Sequence, residues 1–139
     1  MSNTSETTQL LSCDEMLSLG MNVSDFLEAL EDDLGPEAVW KLTEAFGGRA
    51  LCIPKRETMH RTTAAEKLGT EITAWLLDRL GPGATQIPLG PCARKAKNIA
   101  AFRAAFLAGK PRPQIAEEMN CHMRTVERMA ARLRNAGFI

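Results

Sequence analysis

Arg124, Glu127 and Arg128 fall within five residues near the C-terminus, with His122 just ahead of them. These are side-chain types that read DNA. A planar guanidinium can bond two acceptors on guanine at once, and a carboxylate can accept from the amino group of cytosine. Arg124 and Arg128 are four positions apart, so on a helix they share a face, and they are the first candidates for base contacts. His122 and Met123 could meet a base edge or a thymine methyl, and Glu127 a cytosine. Lys110, Arg112, Thr125, Arg132 and Arg134 are better suited to phosphates, which set register and affinity without carrying sequence information. The competing roles are structural. Arg128 and Arg132 could be solvated arginines paired with Glu127 or Glu118, His122 a cap, and Met123 a cover for a turn.

Side chains read a groove only if something holds them against it. The segment Gln114 to Met129 has the spacing of a helix-turn-helix, two helices crossing steeply through a short turn. The crossing needs a small side chain, which Ala116 supplies. Ile115, Met119, Cys121, Val126 and Met129 fall where apolar residues must fill the wedge between the helices. Asn120 occupies the turn position that calls for a left-handed backbone, a conformation Asn tolerates better than most residues. The second helix is expected from about Met123 to Asn135, its N-terminal residues nearest the bases. An amphipathic helical hairpin without a ligand is the plainer alternative.

The formal charge of the 139-residue chain is zero, but the average conceals a division. Residues 1–91 carry 7 Lys/Arg against 14 Asp/Glu, and residues 92–139 carry 10 against 3. A basic unit joined to an acidic one implies a polyanion for the former and a different partner for the latter. Cys13, Cys52, Cys92 and Cys121 show no CxxC spacing, and His60 and His122 are the only histidines, so neither a metal site nor a cofactor is expected. The thiols are expected to be reduced. With no signal-like start and no run long enough to span a bilayer, the chain is expected in the cytoplasm, away from membranes. Catalysis is not expected. Asp14, Glu15, Asp32, Asp33 and His60 show no metal-ligand spacing, and there is no phosphate loop or nucleophile–base pair, so no small-molecule substrate is implied.

Upstream, the chain repeats itself at a constant offset of 34 residues. Leu34-Gly35-Pro36-Glu37 through Ile53-Pro54 matches Leu68-Gly69-Thr70-Glu71 through Ile87-Pro88, each copy reading as a helix, a Gly-rich turn and a short strand stopped by Pro. Leu34, Ala38, Val39, Leu42 and Phe46 form one buried stripe, and Leu68, Ile72, Trp75, Leu76 and Leu80 the other. Arg49 to Ile53 and Ala84 to Ile87 are the strands. A four-residue strand needs a partner for its backbone groups, so Leu51, Ile53, Gln86 and Ile87 are expected in strand pairing, within one chain or across a dimer.

The expected fold is therefore mainly α with a small β element. Residues 1–21 form a flexible N-terminal segment, Met1 to about Gln9 disordered and Ser12/Glu15 opening a short helix; the helix-strand repeat occupies 22–88, a Pro/Gly linker 89–92, and the helix-turn-helix domain 93–139. In the basic half, the helix from Ala93 to Ala108 is expected to bury Ile99, Phe102 and Phe106, with Leu107 as a further candidate, and to leave Arg94, Lys95, Lys97 and Arg103 outside. The acidic run Asp25 to Asp33 reads as a solvated helix face or, alternatively, a partner surface.

This order of elements resembles the Mor transcription activator family of Mu-like phages and prophages. Leu68-Gly69, Leu80-Gly81-Pro82-Gly83, Ile87-Pro88, Arg94, Phe106, Gly109, Ile115-Ala116 and Thr125-Val126 carry the resemblance, which runs from about Leu68 to Arg134. The chain departs from the family pattern in having Gly-Pro-Gly for a Gly-Gly pair and Gln86 for an aromatic strand residue. The resemblance implies a homodimer that binds a two-part site on double-stranded DNA and recruits host RNA polymerase to phage genes, with the N-terminal part as dimerisation domain. A repressor with the same reader is its nearest rival. A phage inhibitor or antitoxin, occupying a host protein and using the reader for autoregulation, is the alternative from a different class.

Overall fold

The computed structural model describes residues 9–139; all but the end of the expected disordered segment, Met1 to about Gln9, lies outside the described residues. The chain is mainly helical, with a single two-stranded antiparallel sheet among the described residues. In order, the elements are α1 (Cys13–Ser18), α2 (Asp25–Leu34), α3 (Pro36–Phe46), β1 (Ala50–Ile53), α4 (Thr63–Leu68), α5 (Thr70–Leu80), β2 (Gly83–Gln86), α6 (Arg94–Leu107), α7 (Arg112–Glu118) and α8 (Met123–Asn135).

The sequence repeat becomes a structural one. α3 and α5 have 11 residues each and begin and end at positions 34 apart. Each follows a shorter helix across a glycine of matching conformation, Gly35 at φ 93° and Gly69 at φ 88°. The shorter helices are capped alike. Ser24 Oγ accepts from Leu27 N at 3.2 Å, and Thr62 Oγ1 accepts from Ala65 N at 3.3 Å, which makes Thr62 the cap of α4. The strands pair within the chain, Ala50 opposite Gln86, Leu51 opposite Thr85, Cys52 opposite Ala84 and Ile53 opposite Gly83.

Gly47 and Gly48 feed β1 into this ribbon. Gly47 at φ −55°, ψ 133° and Gly48 at φ 74° have the central angles of a type II turn, closed by Arg49 N donating to Phe46 O at 2.9 Å. Gly48 N donates to Ile87 O at 2.8 Å and Ile87 N donates to Arg49 O at 3.0 Å, a bulge that carries the pairing past β2 to Ile87. A side chain at Gly47 would put Cβ 2.4 Å from Thr43 O, so no other residue fits there.

Leu51, Ile53 and Ile87 lie under the helices with Leu27, Leu30, Leu42, Leu68 and Leu76 in one buried cluster; Leu34, Phe46 and Trp75 are partly buried against it. Leu80 departs from expectation, with 43% of its surface exposed. It has the right helical phase but is the last residue of α5, where Gly81 at φ 79° turns the chain away.

A second cluster gathers Ile99 and Phe102 of α6, Ile115 of α7 and Val126 and Leu133 of α8, whereas Leu107 is exposed. From Leu11 onward, the segment expected to be flexible is packed instead: Leu11, Met16 and Leu19 are buried in this second cluster, while Cys13 joins the first. Ser12 and Glu15 close a capping box at the start of α1. Glu31 of α2 then accepts from the backbone N of Cys13 at 2.7 Å and of Asp14 at 3.1 Å, placing its charge at the positive end of α1. Trp40 Nε1 donates to Leu11 O at 2.8 Å.

Two further expectations change. Arg103 is buried, 8% exposed, because Glu15 of α1, the Gln9 carbonyl and the Phe138 ring cover the face that helical periodicity alone leaves to water; its Nη1 donates to Glu15 Oε2 at 2.7 Å. Residues 89–92 are not a free linker. They form a 3₁₀ turn with Pro91 buried, and Cys92 Sγ donates to Thr43 Oγ1 at 3.4 Å.

Candidate nucleic-acid interface

α7 and α8 are joined by Met119 to His122. Asn120 is the one non-glycine with positive φ, 53°, among the described residues. That bend lets Cys121 N donate to Ala116 O at 3.0 Å and swings the chain into α8. Ala116 and Ile115 are buried, with Met119, Cys121 and Met129 partly buried against the same cluster. His122 is the extended residue ahead of α8, and its carbonyl accepts from Thr125 N and Val126 N at 3.0 and 3.2 Å. Its imidazole is exposed and makes no capping bond, so it faces solvent at the helix start.

α8 is sharply two-sided. Val126, Ala130 and Leu133 are buried, whereas Met123, Arg124, Thr125, Glu127 and Arg128 are exposed. All five expected base-contact residues therefore stand on accessible surface at the N-terminal end of one helix and its cap. Arg124 and Arg128 are separated by about 6 Å along the axis at 1.5 Å per residue. Among the described residues neither makes an ion pair or a side-chain hydrogen bond, which removes the pairing of Arg128 with Glu127.

The expected phosphate contacts divide. Thr125 and Arg134 are exposed. Arg112 Nη1 lies 3.9 Å from Glu127 Oε2, at the edge of ion-pair range. Lys110 Nζ is 2.8 Å from Glu118 Oε1, and Gln114 Nε2 donates to the other oxygen of Glu118 at 2.9 Å. These bonds, Lys110 first and Gln114 second, hold the Glu118 carboxyl below the ordinary carboxylate range. Arg132 is partly buried and its Nη2 donates to Leu19 O at 2.8 Å, so part of its guanidinium serves the end of α1.

Three cations outside the expected set belong to the same unit. Arg94, Lys95 and Lys97 are exposed and, with Asn98, line an open groove at the start of α6. No acidic residue sits in that first turn, although cations at a helix N-terminus oppose the macrodipole. The sequence signal for them was three basic residues in four positions. The residues expected in strand pairing do pair, within the one chain: Leu51, Ile53 and Ile87 are buried on the inner face of the ribbon, and Gln86 is exposed. No helix among the described residues is long and apolar enough to cross a membrane. Comparison of the chain with family models, with curated proteins and with solved structures finds no match.

Proposed function

We propose that this chain is a sequence-specific DNA-binding transcription regulator, with α7 and α8 as its helix-turn-helix. One observation carries the reading: Arg124 and Arg128 project from the exposed side of a helix that buries Val126, Ala130 and Leu133 on its other side, and neither has an intramolecular partner among the described residues. A helix so anchored presents a fixed row of donors to a major groove, whose acceptor pattern differs for every base pair. Arg112, Arg134 and the cations at the start of α6 supply charge for the backbone, and Thr125 a hydroxyl donor, so affinity falls as salt rises.

The finer reading is activation of phage or prophage genes by recruitment of host RNA polymerase. It rests on the resemblance to the Mor family together with the division of charge, which leaves Asp25 and Asp32 exposed on α2. Two other acidic residues there have structural duties, since Glu31 caps α1 and Asp33 accepts from Trp75 Nε1 at 2.7 Å. The same surface favours the second reading, a phage-encoded protein that occupies a basic host partner and binds DNA for autoregulation. Selection of duplexes from a random pool, followed by footprinting with and without polymerase, separates them. A defined site whose footprint extends when polymerase is added supports the activator. A defined site with no effect of polymerase argues against the activator and is what a repressor or the second reading gives, and an unselected pool rejects all three.

A further inference from the structure

The helix-strand repeat does more than recur; it pairs with itself. Leu51 lies opposite Thr85, and these two residues are 34 positions apart, the offset of the repeat. A residue opposite its own repeat mate in an antiparallel ribbon places a local two-fold axis through that pair. The rest of the register obeys the same axis. Ala50 opposite Gln86 maps onto Ala84 opposite Cys52, and Ile53 opposite Gly83 maps onto Ile87 bonded to Arg49. The symmetry breaks where chemistry requires it: the bond from Gly48 N to Ile87 O has no counterpart, because its mate Pro82 has no N–H.

We infer that one chain forms the complete helix-strand unit and that the protein meets DNA as a monomer on a single, non-palindromic site, in place of the dimer implied by the resemblance. Two copies related by a two-fold axis are what a homodimer brings together from two chains. Here both come from one, and the surface that would drive association is already covered, with Leu42, Leu51, Ile53, Leu76 and Ile87 all buried within the chain. Apolar surface buried once cannot drive association a second time. Both copies end in Ile-Pro, but after Ile53-Pro54 the chain turns back to build the second copy, and only after Ile87-Pro88 does it continue into α6, α7 and α8. Each closed unit thus carries one reader. A dimeric helix-turn-helix protein instead reads two half-sites about one helical turn apart.

The DNA part of this inference rests on the proposed function; the part concerning chain number does not, and the test separates them. Light scattering of the full chain after size exclusion, over a hundredfold range of concentration, should give the single-chain mass of 15.2 kDa throughout. The exposed opposite pair offers a second measurement. Ala50→Cys with Gln86→Cys, in a Cys52→Ser background, should oxidise to a product that runs as a single chain, since directly opposed strand residues lie within disulfide reach. A mass of two chains overturns the inference. So does a covalent dimer, because the strands would then have exchanged between chains. On a selected duplex the expected stoichiometry is one chain per site, and cooperative binding of two overturns it. If no duplex is bound, the regulator reading fails, while the mass and the crosslink still decide the chain number.

Discussion

Arg132 and Leu19 lie 113 residues apart in sequence, yet Arg132 Nη2 donates to the Leu19 carbonyl at 2.8 Å. This bond fastens the proposed reading helix to the end of α1, whose beginning is held by Glu31 of α2. The N-terminal segment is thereby a brace between the acidic and the basic halves of the molecule.

Arg132→Ala should therefore behave as a loss of structure and not as a loss of phosphate contact. A charged donor to a partly buried carbonyl contributes roughly 1–3 kcal/mol. Urea denaturation should show a loss of that size, and the slope of log affinity against log salt should stay unchanged. A slope reduced by about one, with stability intact, would mean that Arg132 leaves Leu19 to bind a phosphate.

Glu15→Ala should destabilise the chain by roughly 1–3 kcal/mol, because it leaves the buried Arg103 guanidinium without its carboxylate. Replacing both partners together, Glu15→Ala with Arg103→Met, should recover much of that loss, since the unpaired buried charge is removed too. Thermal unfolding of the two single variants and the double variant gives the coupling directly. Additive losses would show that the pair does not interact.

Glu118→Gln should strengthen binding to random-sequence duplex a few-fold and steepen the salt slope by about one, because Lys110 loses its carboxylate partner. The pH dependence has a defined sign. The Glu118 carboxyl is held below the ordinary range, so whatever the pair contributes is present above that range and disappears as pH falls through the lowered value. Binding measured from neutral to acid pH should thus rise toward the Gln variant. An affinity for random duplex unchanged by Glu118→Gln would place Lys110 away from DNA.

The cysteines should differ in reactivity. Burial, and then the Glu31 charge, push the Cys13 thiol from 9.0 to about 12, whereas Cys52 is exposed on the ribbon. Peptide mapping after alkylation near pH 8 should find Cys52 modified and Cys13 protected until denaturant is added. A thiol whose folded pKa is raised contributes stability below its unfolded value and loses it as pH climbs toward the folded value. Stability should accordingly decline between about pH 9 and 12, and less steeply in Cys13→Ala. Alkylation of Cys13 at the rate of Cys52 would contradict the packing of α1.

What could be foreseen from sequence was set by short-range sterics. Asn120, Ala116 and the apolar wedge each answer a demand made within a few residues, and the 34-residue offset displays itself by repetition. What could not be foreseen depends on distant packing. Nothing local shows that Glu15 and the Leu19 carbonyl will meet α6 and α8, so Arg103 reads as exposed and Arg132 as free; their partners lie 88 and 113 positions away. Pro88 to Pro91 has the composition of a linker because prolines stop helices, yet Pro91 is buried and the next residue, Cys92, bonds to Thr43 of α3. Whether the strands pair within one chain was likewise undecided by periodicity, which fixes the face of a strand and not its partner.

The central claim is that Arg124 and Arg128 read bases. The most direct measurement is the affinity of Arg124→Ala and Arg128→Ala, compared with the unaltered chain, for a selected duplex and a random one at fixed salt. Each substitution should cost roughly 1–3 kcal/mol on the selected site, with a much smaller loss on random DNA and relaxed preference at one base position. Equal losses on the two duplexes, or none on either, would contradict it.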